Sequence, residues 1–148
     1  FFNDDRPFIV YNVDIVTGLS LRQLYQHHID SHNLATLVVR RRKTSRYLLF
    51  DEFMQLKAWE NTATGEKRIV QMTREPMNPY AFSGIHVINP EIFGMMEQQD
   101  CFSIIDTYLR IAATKPVGGY FDDGPLWADA GKPDSLAEAG EIAAKIKF

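Results

Sequence analysis

The chain has 148 residues, 45% of them hydrophobic, with a formal net charge of -3 and a pI near 5.8. That length suits a single domain over residues 1 to 148 with a real core, and the acidic balance argues against a nucleic-acid partner, which needs clustered positive charge. No run approaches the roughly 18 apolar residues that cross a bilayer, the start lacks the basic-then-apolar order of a signal peptide, and the lone Cys101 has no internal disulfide partner; a soluble protein of the reducing cytoplasm, with no membrane partner, is expected.

The start, FFNDDRPF, carries no initiator Met and runs almost at once into a strand, as expected of a processed chain, an engineered one or a piece of something longer. In PFIVYNVDIV the apolar run from Ile9 to Tyr11 reads as a strand covered on both faces in a parallel sheet, with Asp14 at its carboxyl end. SLRQLYQHHIDSH then sets Leu21, Leu24, Tyr25 and His28 at helical spacing, with Ser20 as N-cap. NLATLVVRR is a second β-branched strand, which completes a strand-helix-strand unit.

Beyond Arg40 the pattern turns to short alternating segments, RRKTSRYLLFDEF, MQLKAWE and EKRIVQM, with NTATGE as a glycine-bearing turn. These predict antiparallel hairpins set into the α/β frame. PYAFSGIHVINP is a further strand bounded by prolines, and PEIFGMMEQQ a short helix opened by Pro90. SIIDTYLRIAAT follows as a helix capped by Ser103, with Ile104, Ile105, Tyr108, Leu109 and Ala112 on one stripe. KPVGGYFDDGPLWADAGKPD reads as a turn-rich stretch leading to the closing helix SLAEAGEIAAKIKF.

Two acids stand out. Asp14 ends a strand, where open α/β sheets collect ligands, although a plain role in ending that strand or capping the next segment explains it equally well. Asp129 follows Trp127 by two in LWADAGKP, where Gly131 lets the backbone turn. Two carboxylates on separate loops suit a hard divalent cation, yet many aspartates simply begin turns. Other features point to structure. The basic run RRRKTSR, residues 40 to 46, reads as a solvated loop ahead of a phosphate grip. His28 and His32 have zinc-pair spacing but lack a third ligand, so a surface helix is expected. Asp122 and Asp123 point apart and read as a turn, His86 as a core or pocket-wall histidine, and Cys101 as an inert thiol.

Three segments together resemble the sugar-nucleotide pyrophosphorylases, which join a sugar 1-phosphate to a nucleoside triphosphate. PFIVYNVDI resembles their strand that ends Asn-Gly-Asp, FSGIHVINPEIF their Ser-Gly-Ile sugar-side segment, and LWADAGKPDSLAEA their Trp-x-Asp-x-Gly segment and last helix. The matches fall in family order across residues 7 to 140, nearest in flavour to mannose-1-phosphate guanylyltransferases and N-acetylmuramate-1-phosphate uridylyltransferases. The resemblance implies a mixed, mostly parallel, Rossmann-like sheet and Mg²⁺ as cofactor. It also implies catalytic metal ligands Asp14 and Asp129, a sugar lying on the backbone of Gly84, and the substrates nucleoside triphosphate and sugar 1-phosphate. Three departures accompany it. Val13 stands where the family carries Gly, Lys57 and Glu60 in LKAWEN do not form its Glu-Lys-Pro motif, and no glycine-rich nucleotide loop is present. The chain is therefore expected to be the carboxyl-terminal portion of such an enzyme, self-associating through an exposed edge. The competing reading is a non-catalytic sugar-phosphate-binding or assembly module on the same scaffold.

Overall fold

The computed structural model describes residues 4–96, 103–131 and 133–146. The chain begins with β1 (Phe8–Tyr11), β2 (Ile15–Thr17), α1 (Leu21–Ser31) and β3 (Ala35–Arg40). β4 (Arg46–Phe50), β5 (Leu56–Asn61) and β6 (Glu66–Ile69) form the predicted hairpins, and the long β7 (Asn78–Ile88) returns from them. A 3₁₀ segment at Pro90–Met95, α2 (Ile104–Ala112), β8 (Val117–Phe121), β9 (Trp127–Asp129) and α3 (Leu136–Lys145) complete the order. Cys101 lies outside the described residues.

The local signals explain most of these elements. The Ser20 hydroxyl accepts from Gln23 N at 3.3 Å and starts α1, which ends where His32 turns left-handed at φ 53°. In the hairpin from β5 to β6, Gly65 at φ 76° donates its N–H to Asn61 O. Ser103 sits at the N-cap position of α2 without a side-chain cap bond.

The main sheet has seven strands in the order β6-β5-β4-β7-β3-β8, with β1 also on β7. The α/β frame is as expected, but the sheet is mixed rather than mostly parallel. Among the described ladders only β3 with β8 is parallel. The cause lies in the connections: short turns join only antiparallel neighbours, and β7 comes back from the hairpins to lie between β1 and β3. Those two strands still run the same way, on either side of β7.

The stretch expected to be turn-rich holds β8 and β9. Both glycines of VGGYF are packing requirements: a Cβ on Gly118 would lie 2.1 Å from Asn33 Nδ2, and one on Gly119 2.8 Å from Met54 Cε.

Both faces of β1 are covered, as its apolar run predicts. Phe8 and Val10 join the cluster under α2 with Leu37, Phe50 and Tyr108, while Ile9 and Tyr11 join Leu24, Val38 and Ile85 under α1. Each fully buried Leu or Phe contributes roughly 1.5–3 kcal/mol. A smaller layer, Ala128, Ala139 and Ile142, fastens α3 to the two-stranded ribbon of β2 and β9. The ribbon is held between the main sheet and α3. No helix among the described residues is long and apolar enough to cross a membrane.

Candidate active site

β1, β3 and β8 point the same way, so the residues after their ends, Asp14, Arg42 and Asp122, gather along one rim of the sheet. The chain leaves β1 through a turn in which Ile15 N donates to Asn12 O at 3.1 Å, and β2 then pairs with β9. In that ladder Ile15 faces Asp129, and Ala130 N donates to Asp14 O at 2.7 Å. A three-residue ribbon register thereby brings the two acids together from distant parts of the chain.

The glycine after them shows how close they are. A Cβ on Gly131 would lie 2.8 Å from Asp14 Oδ2 and 3.1 Å from Asp129 Oδ1, so the carboxylates flank one small space. Gly131 N also donates to Asp129 Oδ1 at 3.0 Å, which orients that carboxylate. Both acids are half-buried. A space just too small for a methyl group, walled by two carboxylate oxygens, matches a small hard cation that binds oxygen at about 2.1 Å and keeps some of its water. Among the described residues no third carboxylate, histidine or cysteine joins the pair. Further ligands would come from water or a bound phosphate.

Gly84 lies nearby in an irregular part of β7. Leu37 faces His86 while Val39 faces Phe82, so β7 bulges between them, and Gly84 takes φ 80°. Its Cα is covered by Asn12 Nδ2 and Ile15 Cγ1, at 2.9 and 3.1 Å from an added Cβ, and its carbonyl accepts from Asn12 N at 2.9 Å. The turn that presents Asp14 is therefore seated on this bulge. Glycine is required there by backbone angle and packing.

No protein-family model matches the chain. Mannose-1-phosphate guanyltransferase 2 of Candida glabrata is 23% identical over 139 residues, 93% of this chain and 37% of that protein. A solved Bacillus anthracis structure assigned as a glucose-1-phosphate thymidylyltransferase, in complex with sucrose, superposes at TM-score 0.70 and 17% identity, over 98% of this chain and 57% of its own. The inositol-1-phosphate CTP transferase of T. maritima gives 0.66 at 16%, over 99% and 58%. UDP-glucose pyrophosphorylase complexed with UDP-glucose gives 0.69 at 15%, over 98% and 59%. The fold is that of the sugar-phosphate nucleotidyltransferases. The resemblance read from three short segments is borne out at that level, and the chain spans little more than a third of its curated relative and under two thirds of these solved chains.

Within the nucleotidyltransferase fold, the residues that depart from the expected motifs have other work. Val13, fully exposed, sits in the turn before Asp14. Lys57 pairs with Asp51 at 3.5 Å and Glu60 with Lys67 at 3.8 Å, away from the acid pair.

The basic run departs from its expectation. Arg40 is not solvated: its side chain is 11% exposed, donates to Gly124 O at 3.0 Å and stands 3.9 Å from Asp122. Its guanidinium lies 4.8 Å from the centre of the Trp127 ring, and that of Arg42 lies 5.1 Å from it. Arg41 does reach solvent, paired with Asp123 at 3.6 Å. Asp122 and Asp123 lie in the loop after β8 and hold this run in place. The alternation of Arg40 and Arg42, two apart like Trp127 and Asp129, was the available signal that they share a face.

His28 also corrects the surface-helix expectation. It is buried at 1% exposure, with Nδ1 2.8 Å from Thr36 Oγ1 and Nε2 3.2 Å from Asn89 Oδ1, and burial holds its pKa below the usual range. His32 is exposed at the helix end. His86 is a core histidine, hydrogen-bonded through Nδ1 to the Tyr108 hydroxyl, and burial lowers its pKa to about 4.

Proposed function

We propose that this chain carries the metal and sugar end of a sugar-1-phosphate nucleotidyltransferase, forming an NDP-sugar from a nucleoside triphosphate and releasing pyrophosphate. One observation carries the reading: the Asp14 and Asp129 carboxylates stand at 2.8 and 3.1 Å from a single point beside Gly131, in a fold shared with sugar-phosphate nucleotidyltransferases.

In such a reaction an oxygen of the sugar phosphate attacks the α-phosphorus in line while pyrophosphate leaves, so the protein chiefly positions two polyanions that repel each other. Asp14 and Asp129 would hold Mg²⁺, which when bound would supply positive charge against the phosphates. The residues of the chain do the rest. Gly131 keeps the space between the acids clear and its N–H orients Asp129. Asn12, clamped on the β7 bulge, fixes the turn from which Asp14 projects. Gly84, whose Cα face is taken by Asn12 and Ile15, seats that turn, and the sugar would lie beside it.

The chain contains no glycine-rich phosphate loop, and it spans 57% of the thymidylyltransferase-like structure. We therefore infer that the nucleotide cradle lies outside these 148 residues. The single cysteine fits a cytoplasmic place of work. The same lack of a cradle favours a second reading, a sugar-phosphate-binding module that does not turn over.

The test is pyrophosphate release from UTP or GTP with Mg²⁺ and several sugar 1-phosphates, by this chain and by a longer polypeptide containing it. Release that falls by about a thousandfold in Asp14→Asn and Asp129→Asn is the expected result. Sugar 1-phosphate binding with no turnover in either polypeptide moves the conclusion to the second reading. Neither binding nor turnover refutes both.

A further inference from the structure

Among the described residues, the buried side-chain atoms left without a hydrogen-bond partner are Arg40 Nη1, Arg42 Nε, Ser83 Oγ and Trp127 Nε1. They are not scattered. Arg40 and Arg42 both lie over the Trp127 ring, and Arg42 Nη2 donates to Phe82 O at 3.3 Å, the carbonyl next to Ser83. All four gather where the end of β3 meets the bulge of β7 and the ribbon strand β9.

Buried polar groups are normally paired, and each exception needs an explanation. Three of these four atoms are N–H donors, and two belong to guanidinium cations. The charge of Arg40 is met by Asp122 at 3.9 Å. No carboxylate lies within ion-pair distance of Arg42 among the described residues. A cation with a buried, unused N–H beside an indole N–H and a hydroxyl is complementary to a planar or tetrahedral oxyanion.

The position says which oxyanion. Trp127 and Asp129 are two apart on β9, so their side chains leave the same face roughly 6–7 Å from each other. An anion seated on the arginines is thus on the same face of the ribbon as Asp129.

We propose that Arg42, assisted by Arg40, the Trp127 indole N–H and the Ser83 hydroxyl, grips the phosphate of the sugar 1-phosphate. The proposal rests on the nucleotidyltransferase reading for the identity of the substrate, but its anion-binding core can be tested without turnover. Guanidinium in place of ammonium suits a half-buried site, since it is less strongly hydrated and offers paired donors.

Trp127 is itself the reporter. In a Trp59→Phe background its emission is titrated with glucose 1-phosphate, mannose 1-phosphate, inorganic phosphate and glucose, with and without Mg²⁺. Sugar 1-phosphates are expected to perturb Trp127 emission, and Arg42→Met to weaken their binding by about 10- to 100-fold while glucose is unaffected. Arg42→Lys should recover part of the loss, and Ser83→Ala should lose less than Arg42→Met. Circular dichroism and the thermal midpoint should hold in every variant. Arg42→Met binding sugar 1-phosphate within twofold of the parent overturns the proposal, as does an equal loss for glucose and glucose 1-phosphate, or no response of Trp127 to any phosphate. Should Arg42→Met fail to fold, Arg42→Lys and Ser83→Ala decide: no change in either overturns the proposal. If Asp129→Asn abolishes pyrophosphate release while Arg42→Met leaves it intact, the grip is wrong and the nucleotidyltransferase reading stands. Phosphate binding that needs Arg42, with no release by any longer polypeptide, leaves the grip standing and removes that reading.

Discussion

Replacing Gly131 with alanine puts a methyl group where the two carboxylates meet. The new carbon would lie 2.8 Å from Asp14 Oδ2 and 3.1 Å from Asp129 Oδ1, against about 3.5 Å or more for comfortable non-bonded contact. At least the Asp14 carboxylate must withdraw by several tenths of an ångström. Metal sites hold their ligand distances to about 0.2 Å, and misplacing a ligand by disturbing its support costs roughly 10- to 100-fold in affinity. A drop of that size in Mn²⁺ or Mg²⁺ affinity is expected. Folding should not suffer: Gly131 is exposed and is not among the residues at positive φ, so alanine restricts the unfolded chain and offsets the displaced carboxylate, within about 1 kcal/mol overall. Gly140→Ala is the control. It has nothing within 4 Å and lies exposed in α3, so it should gain up to about 1 kcal/mol of stability and leave metal binding alone. Calorimetric Mn²⁺ titration and urea unfolding of both variants separate the two effects. Wild-type metal affinity in Gly131→Ala, or in Asp14→Asn, would refute the idea that these acids share a cation.

Two further outcomes test the fold that carries the site. His86 stays neutral in the native state down to about pH 4, whereas in the unfolded chain it takes up a proton near pH 6.5. Its contribution is therefore complete above about pH 6.5 and is lost as pH falls from there to about 4, roughly 3 kcal/mol in all, with buried His28 acting in the same direction. Urea midpoints at pH 7 and pH 4.5 measure this, and the paired variant His86→Leu with Tyr108→Phe should show a shallower fall; identical slopes would contradict it. Gly118→Ala should cost about 1–3 kcal/mol, because its Cβ meets the buried Asn33 amide at 2.1 Å and that amide is tied to Gln55 and Thr36. Gly119→Ala meets the flexible end of Met54 first and should cost less by the same urea assay.

What could be read without coordinates was local. Ser20 before an apolar stripe announces α1, the Gly65 turn announces a hairpin, and alternating apolar segments announce β4 to β6, because caps, turns and periodicities are settled by residues within a few positions of one another. Asp14 and Asp129 were visible for the same reason, as acids at strand ends inside short recognisable segments. The glycines of β8 misled: locally Gly118 and Gly119 suggest a turn, and only the neighbouring Asn33, Phe50 and Met54 show them to be places with no room for a side chain. RRRKTSR misled in the same way, since a charge run suggests solvent until Trp127 is found beneath Arg40 and Arg42. Residue types, caps and strand ends were thus determined by the sequence itself. The antiparallel return of β7 between β1 and β3, the meeting of Asp14 with Asp129 across the ribbon and the gathering of two arginines on one indole were decided only by tertiary structure. Contacts between distant parts of the chain depend on which strands pair and in what register, and no local pattern encodes that choice.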